Sequence, residues 1–256
     1  MKKQTLSPAL RKKAAAVPLG WPPANLLAQK EVFVKKVVFD LHGPILDWAT
    51  PFCDVAARLY NVELKPEQVR FYSMAYDSSF PLTPEQFNNV FATFARLAKG
   101  GYGDLPVRPG IVEAIKQIRA AGIAVEIWTW VPGAAEHNHD TLKSFGTGIA
   151  QSATYELLEK HGVVDNVKRR VRFISPNAKV PTMLEEHAPL IIEDNPVTAV
   201  HAASSGLACV LTPESYNVHT SDTGILRLND HSEIASVVID FFAKLEAAGA
   251  IAEGVL

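Results

Sequence analysis

Val37-Val38-Phe39-Asp40-Leu41-His42-Gly43-Pro44-Ile45 starts as an apolar run, ends that run on a carboxylate and then turns through a glycine and a proline. An apolar run without polar alternation predicts a strand covered on both faces, as in parallel sheets. A carboxylate at the C-terminal tip of such a strand is presented at the sheet edge where α/β proteins hold ligands. Asp40 is therefore the leading candidate nucleophile.

Outward from this stretch, short β-branched apolar runs alternate with amphipathic segments. Strands are expected at residues 32–39, 124–129, 171–175, 190–193, 208–212 and, more weakly, 225–228. Helices are expected near 110–121, 151–161, 180–187, 196–205 and 231–248. This alternation predicts an α/β fold, a three-layer Rossmann-like parallel sheet with helices on both faces. The interval from Trp48 to Gly103 breaks the pattern, because it holds no strand-like run. Phe52, Val55, Ala56 and Leu59 fall at helical spacing, as do Phe87, Val90, Phe91, Phe94 and Leu97. Thr83 as N-cap, Pro84 in the first turn and Gly100-Gly101 as the stop frame the second of these helices. The expected organisation is a basic, proline-containing N-terminal extension lying on the surface (1–30), a core domain (31–48 and 104–256) and a helical cap inserted after the first strand (49–103).

The 256 residues carry 25 basic and 27 acidic side chains, a formal net charge of −2 that points away from nucleic-acid and membrane surfaces and towards small-molecule partners. Cys53 and Cys209 are far apart and in no metal-ligand spacing, which fits a reducing, cytoplasmic setting with both thiols buried. No apolar run reaches membrane-spanning length, and the basic N-terminus lacks the continuous apolar stretch of a secretory signal.

Four polar residues stand at expected strand ends: Asp40, Thr129, Lys179 and Asp194. In a parallel sheet all strand C-termini share one edge, so residues scattered through the sequence meet in one crevice. Each type has a job in phosphoryl chemistry. A carboxylate can attack phosphorus, a hydroxyl and an ammonium can hold phosphoryl oxygens, and a second carboxylate can help hold Mg²⁺.

With these residues in this order, the chain resembles the haloacid dehalogenase-like (HAD) hydrolase superfamily. Asp40-Leu41-His42-Gly43-Pro44 matches its first motif, Glu126-Ile127-Trp128-Thr129 its second, Lys179 its third and Leu190-Ile191-Ile192-Glu193-Asp194-Asn195 its fourth. The helical insertion falls where a type-1 cap would be. The stretch Asp104-Leu105-Pro106-Val107-Arg108-Pro109-Gly110 is similar to the return from cap to core in 5'-(deoxy)ribonucleotidases. The resemblance implies a Mg²⁺-dependent phosphohydrolase acting on a small phosphorylated metabolite, with a nucleotide as one candidate. It implies Asp40 as nucleophile and metal ligand, the backbone carbonyl of His42 and Asp194 as further ligands, Glu193 as a less favoured one, and Thr129 and Lys179 as phosphate-binding residues.

His42 stands where family phosphatases carry a second carboxylate that serves as acid and base. An imidazole can do both jobs near neutral pH, and it can also do neither. Two alternatives therefore stand beside ester hydrolysis: cleavage of a carbon–halogen or carbon–phosphorus bond, or an impaired, binding or regulatory protein. Thr198 is a second departure, at a position where the family often has an aspartate. Lys168, Arg169, Arg170 and Arg172 compete with Lys179 as phosphate ligand. Of Trp128 and Trp130, one is expected in the core and the other in the crevice. His137-Asn138-His139-Asp140 reads as a surface helix start rather than a metal cluster, and Tyr72, Tyr76 and Phe80 as cap core.

Overall fold

A computed structural model of the chain describes residues 21–69, 80–97, 101–130, 149–221 and 223–252. In chain order the elements are α1 (Ala24–Leu27), β1 (Lys36–Phe39), α2 (Ala49–Tyr60), α3 (Pro84–Arg96), α4 (Ile111–Ala120), β2 (Ala124–Thr129), α5 (Ile149–Lys160), α6 (Val167–Arg170), β3 (Val171–Phe173), α7 (Pro176–Glu185), β4 (Leu190–Glu193), α8 (Pro196–Ser204), β5 (Ala208–Leu211), β6 (Ile225–Arg227) and α9 (Ile234–Ala247). The six strands form one parallel sheet in the order β3-β2-β1-β4-β5-β6.

Alternate residues of the strands feed two cores. Val37 and Phe39 of β1, with Val125 and Ile127 of β2 and Leu190 and Ile192 of β4, join a cluster completed by α4 and α9 through Ile111, Ile115, Phe241 and Phe242. Val38, Trp128, Ile191 and Cys209 point the other way and pack against Val180 and Met183 of α7 and Ala199 and Ala202 of α8. Because successive strand side chains face opposite sides, burial on both sides requires the uninterrupted apolar runs seen in the sequence. Trp128 is fully buried, and its indole donates to Glu126 Oε2 at 2.8 Å.

Register brings the strand tips together. Phe39 lies opposite Ile127 on one side and Ile192 on the other, so Asp40 and Glu193 are the next residues out of adjacent strands. The first break in strand order, between β1 and β4, opens beside them, at the switch point where parallel sheets receive ligands.

Several boundaries differ from the sequence expectation. Strand β1 begins at Lys36 rather than residue 32, because the preceding residues pair elsewhere: Val32 and Phe33 donate to the Ala250 carbonyl, and Phe33 bridges Ile251. Helix α7 begins at Pro176 rather than residue 180, since Ser175 in an extended conformation precedes a proline in the first turn. The short α6 carries no apolar period long enough to announce it. Part of residues 21–30 is drawn into the body, although Ala24, Asn25, Ala28 and Lys30 are exposed. Trp21 and Leu26 are buried, Trp21 packs its ring 5.7 Å from that of Phe241, and Lys244 Nζ donates to the Trp21 carbonyl. Burial of these two large apolar groups, together with the bond from Lys244, helps to offset the cost of ordering the segment.

Between β1 and α4, helices α2 and α3 share an aromatic cluster in which Phe52 meets Phe87 at 5.3 Å and Phe94 at 6.3 Å. Phe80 packs its ring edge against Phe87 at 6.0 Å. Tyr72, Tyr76 and the segment His137-Asn138-His139-Asp140 lie outside the described residues. No helix among the described residues is long and apolar enough to cross a membrane.

Candidate active site

Asp40 is held by its own backbone: its amide donates to the Ile192 carbonyl at 2.8 Å, carrying the β1–β4 ladder one residue past the strand. Its carboxylate accepts from Lys179 Nζ at 2.5 Å, and the same ammonium donates to Glu193 Oε1 at 3.0 Å. Lys179 reaches this point from the second turn of α7, and it is buried to 3% exposure. Two of its three N–H groups are thus committed, and the third can be donated to a ligand. Of the other candidate cations, Lys168 and Arg169 are exposed. Arg172 is spent on Glu186 and Glu126, with its guanidinium 5.0 Å from the Trp128 ring centre.

Glu193 accepts two further bonds besides acting as Lys179's partner: Oε2 takes the amides of Asp194 at 2.9 Å and Asn195 at 3.1 Å, completing, with Lys179, the satisfaction of both oxygens. Asp194 stands differently. Its carboxylate accepts from the Tyr216 hydroxyl, and its backbone carbonyl accepts from Asn217 Nδ2 at 2.8 Å. Oxygens of Asp40, Glu193 and Asp194 all lie within 4.8 Å of one another, and all three residues are buried.

Three carboxylates therefore face one ammonium, two charges short of neutrality if all ionise. The electrostatics record the imbalance. Burial pushes Asp40 up to about 7 against the pull of Lys179. Burial, then the neighbouring Glu193 and Asp40, hold Asp194 well above the ordinary carboxylate range. Glu193 is also buried, yet Lys179 and the amide bonds outweigh this and bring it below its usual value. Lys179 is raised by the two carboxylates in spite of its burial. A divalent cation is the charge that such a donor set lacks, and carboxylate oxygens are the ligands that hard cations such as Mg²⁺ take. The set fits the metal.

The turn after Asp40 is built to approach Asp194. Gly43 has φ +89°, and a Cβ placed there would lie 2.4 Å from the Asp194 carboxyl carbon. Arg108 Nε donates to the Gly43 carbonyl at 3.1 Å, and its Nη2 pairs with Glu214 at 2.5 Å.

His42 turns its ring towards Thr129 and Tyr102, with Nδ1 3.3 Å from Thr129 Oγ1 and Nε2 2.7 Å from Tyr102 Oη. Thr129 gives its hydroxyl proton to the Trp130 carbonyl at 3.2 Å. Its oxygen must then accept from Nδ1–H, which leaves Nε2 as the acceptor for Tyr102. Burial and Lys179 lower the imidazole to about 3, so the ring is neutral, as this tautomer requires.

The cleft over these groups has a volume of about 70 Å³, enough for roughly five water molecules. Asp40, His42, Lys179 and Asp194 line it together with Trp48, Trp130 and Tyr216. Trp130 is thus the tryptophan of the cleft and Trp128 that of the core. Thr198, in the first turn of α8, is buried and lines the cleft where an aspartate would add a further carboxylate. The sequence brought Asp40, Thr129, Lys179 and Asp194 to notice as expected strand ends, and His42 and Glu193 through the resemblance; Lys179 in fact stands in α7, and Thr129 meets the others through His42. It gave no warning of Tyr216, Tyr102 or Arg108, which lie in connections without periodicity; the one available signal for Tyr216 was its place just beyond a strand tip.

No protein-family model matches the sequence, and no curated protein matches it. Solved structures do. The chain is similar to a HAD family hydrolase from Deinococcus radiodurans R1, solved with bound phosphate and sodium, at 16% identity and TM-score 0.54 over 86% of this chain and 99% of that one. It is similar to a protein of Lactobacillus delbrueckii described as a candidate phosphoglycolate phosphatase, at 13% identity and TM-score 0.53 over 80% and 98%. A haloacid dehalogenase-like family hydrolase of Streptococcus pneumoniae gives 13% identity and TM-score 0.50 over 79% and 97%. The chain has the haloacid dehalogenase-like fold.

Proposed function

We propose that the protein is a divalent-cation-dependent phosphohydrolase of small phosphorylated metabolites, with Asp40 as nucleophile. The observation that carries this reading is the buried set of Asp40, Glu193 and Asp194 around Lys179 at the strand tips, two charges short of neutrality. A metal-independent hydrolysis at carbon has no use for that excess of negative charge. Two neighbours of the same fold, one solved with phosphate and one described as a candidate phosphatase, support the reading.

Asp40, Asp194 and the main-chain carbonyl of His42 would hold Mg²⁺, with Glu193 held back by its bonds to Lys179 and two amides. The cation supplies charge neutralisation for the phosphoryl oxygens. Lys179 offers its third N–H to the same oxygens, whereas Thr129, buried with its hydroxyl given to the Trp130 carbonyl, lies behind the cleft and meets it only through His42. An Asp40 oxygen attacks phosphorus, the substrate oxygen departs with the bonding pair and takes up a proton, and an aspartyl-phosphate remains. Water then attacks that phosphorus, losing a proton as phosphate leaves and the Asp40 carboxylate is restored. His42 keeps both ring nitrogens engaged, Nδ1 with Thr129 and Nε2 with Tyr102, and burial lowers its imidazole to about 3, so in this arrangement it is placed to orient its neighbours rather than to carry either proton. Helices α2 and α3, inserted after β1, serve in this reading as a cap over the strand tips. The Trp48 and Trp130 rings give a nucleotide base a surface to stack on, which makes nucleotides one member of the proposed substrate class.

Phosphate release from a broad panel of phosphomonoesters should require Mg²⁺ and stop with a chelator, and Asp40→Asn should reduce it by ~10³-fold or more. A folded wild-type chain inactive across the panel, or equally active in chelator, overturns the reading.

A further inference from the structure

Tyr216 belongs to none of the positions that the sequence pattern singled out, yet it touches the candidate metal ligand directly. Its hydroxyl donates to Asp194 Oδ2. Behind it, the Trp48 side chain is hydrogen-bonded to Tyr216, and an indole N–H can only donate. The phenol accepts from Trp48 and keeps its own proton for Asp194. The result is a one-way chain from Trp48 through Tyr216 to Asp194.

The rest of the Asp194 environment closes around the same residue. Asn217, next to Tyr216, donates from Nδ2 to the Asp194 carbonyl at 2.8 Å and to the Thr212 carbonyl at 2.9 Å. On the opposite side, the Gly43 backbone approaches so closely that no side chain fits between it and the Asp194 carboxylate. Glu214, two residues before Tyr216, is tied through Arg108 to the Gly43 carbonyl, which fixes the spacing of the two sides. The segment carrying these residues, Ser215–Asn217, is a single 3-10 turn that holds its own shape: Glu214 N donates to Asn217 Oδ1 at 3.2 Å, and Arg227 Nη1 donates to the Asn217 carbonyl at 2.5 Å.

We propose that Tyr216, held by Trp48, is a positioning residue that sets the orientation of the Asp194 carboxylate and thereby the affinity of the site for its divalent cation. The proposal rests on the phosphohydrolase reading, in which Asp194 is a ligand. A carboxylate oxygen has two lone pairs, so accepting from Tyr216 leaves Oδ2 able to coordinate while removing the freedom of the side chain to rotate away. Hydrogen-bond partners behind metal ligands typically contribute 10–100-fold in affinity. Trp48 stands immediately before α2, so the same chain of bonds ties the inserted helices to the metal ligand.

The test is titration of the metal-free full-length chain with Mn²⁺, followed by electron paramagnetic resonance of the free ion, for wild type, Tyr216→Phe and Trp48→Phe. The phenylalanine at 216 keeps the ring and removes only the hydroxyl. We expect Tyr216→Phe to bind Mn²⁺ about 10-fold or more weakly, and Trp48→Phe to weaken it by a smaller factor, with circular dichroism unchanged. In turnover the Tyr216→Phe defect should appear as a raised Mg²⁺ requirement, with kcat recovered at saturating Mg²⁺, which general loss of structure would not give. Wild type that binds Mn²⁺ and a folded Tyr216→Phe within twofold of it, or tighter, overturns the inference alone. Should Tyr216→Phe not fold, Trp48→Phe with unaltered affinity overturns it. A wild-type chain that binds no Mn²⁺ overturns both this inference and the metal-dependent reading beneath it.

Discussion

Gly43 shows how much one residue can constrain. Its φ of +89° is a conformation that an L side chain adopts at a cost of ~1–2 kcal/mol, and the missing Cβ is what lets the turn after Asp40 approach Asp194. Gly43→Ala should therefore act twice. We expect a loss of about 2 kcal/mol or more in chemical denaturation together with weakened divalent-cation binding, because the clash falls on a carboxylate that the site uses. A variant of wild-type stability and affinity would show that the turn has more freedom than its geometry implies. At this scale the sequence was informative for some residues and silent for others. Asp40, Glu193 and Asp194 could be singled out because a charged residue at the end of a buried strand is conspicuous. Lys179 could not be separated from Lys168, Arg169, Arg170 and Arg172 by sequence, since a lysine looks the same whether it is buried in an ion pair or solvated. Its position on the inward side of α7 made the difference.

At the scale of elements, the connection after β5 is where the sequence was least legible and the structure most specific. Pro213-Glu214-Ser215-Tyr216-Asn217 shows no periodicity, so only its position beyond a strand tip could have marked it. Glu214 within it is pushed up to about 7, by burial first, against the pull of Arg108, with Asp47 adding to the rise and Arg227 opposing it; His231 stands 4.0 Å away. A carboxyl raised in the folded state binds its proton more tightly there than in the unfolded chain. Its contribution to stability is full below about 4.5 and is lost as pH rises through about 7. Compared with Glu214→Gln, which cannot titrate, the wild type should lose on the order of 2 kcal/mol of relative stability between pH 4.5 and 7.5. Thermal melts of the two proteins across that range would check the sign; a difference that stays flat or grows with pH would contradict it. Helix boundaries were read more loosely than strand cores for a related reason. Ser175-Pro176 started α7 four residues before the apolar period did, while the uninterrupted apolar runs left little choice for β4 and β5.

At the scale of the whole molecule, the β1–β4 break gathers buried like charges at the edge of the sheet, and folding must bear their repulsion. A cation that binds only the folded state offsets it by mass action, about 2.7 kcal/mol at a concentration 100 times Kd. For a chain of this length that corresponds to a rise in Tm of roughly 5–10 °C. Mg²⁺ should therefore raise Tm at pH 8, and Asp194→Asn should abolish most of the rise; equal shifts in the two proteins would place the bound cation elsewhere. The sequence by itself determined the sheet, because runs such as Val37-Val38-Phe39 and Leu190-Ile191-Ile192 can bury both of their faces only between two helical layers. It also determined which carboxylates stand at the tips, because their place follows from where each run ends. Only the tertiary structure decided that Trp21 and Leu26 belong to the body and that Lys179 is the cation of the site. It alone gave Glu193 to that lysine, and Asp194 to Tyr216. Those choices depend on distances between segments remote in the chain, and a local pattern carries no record of such distances.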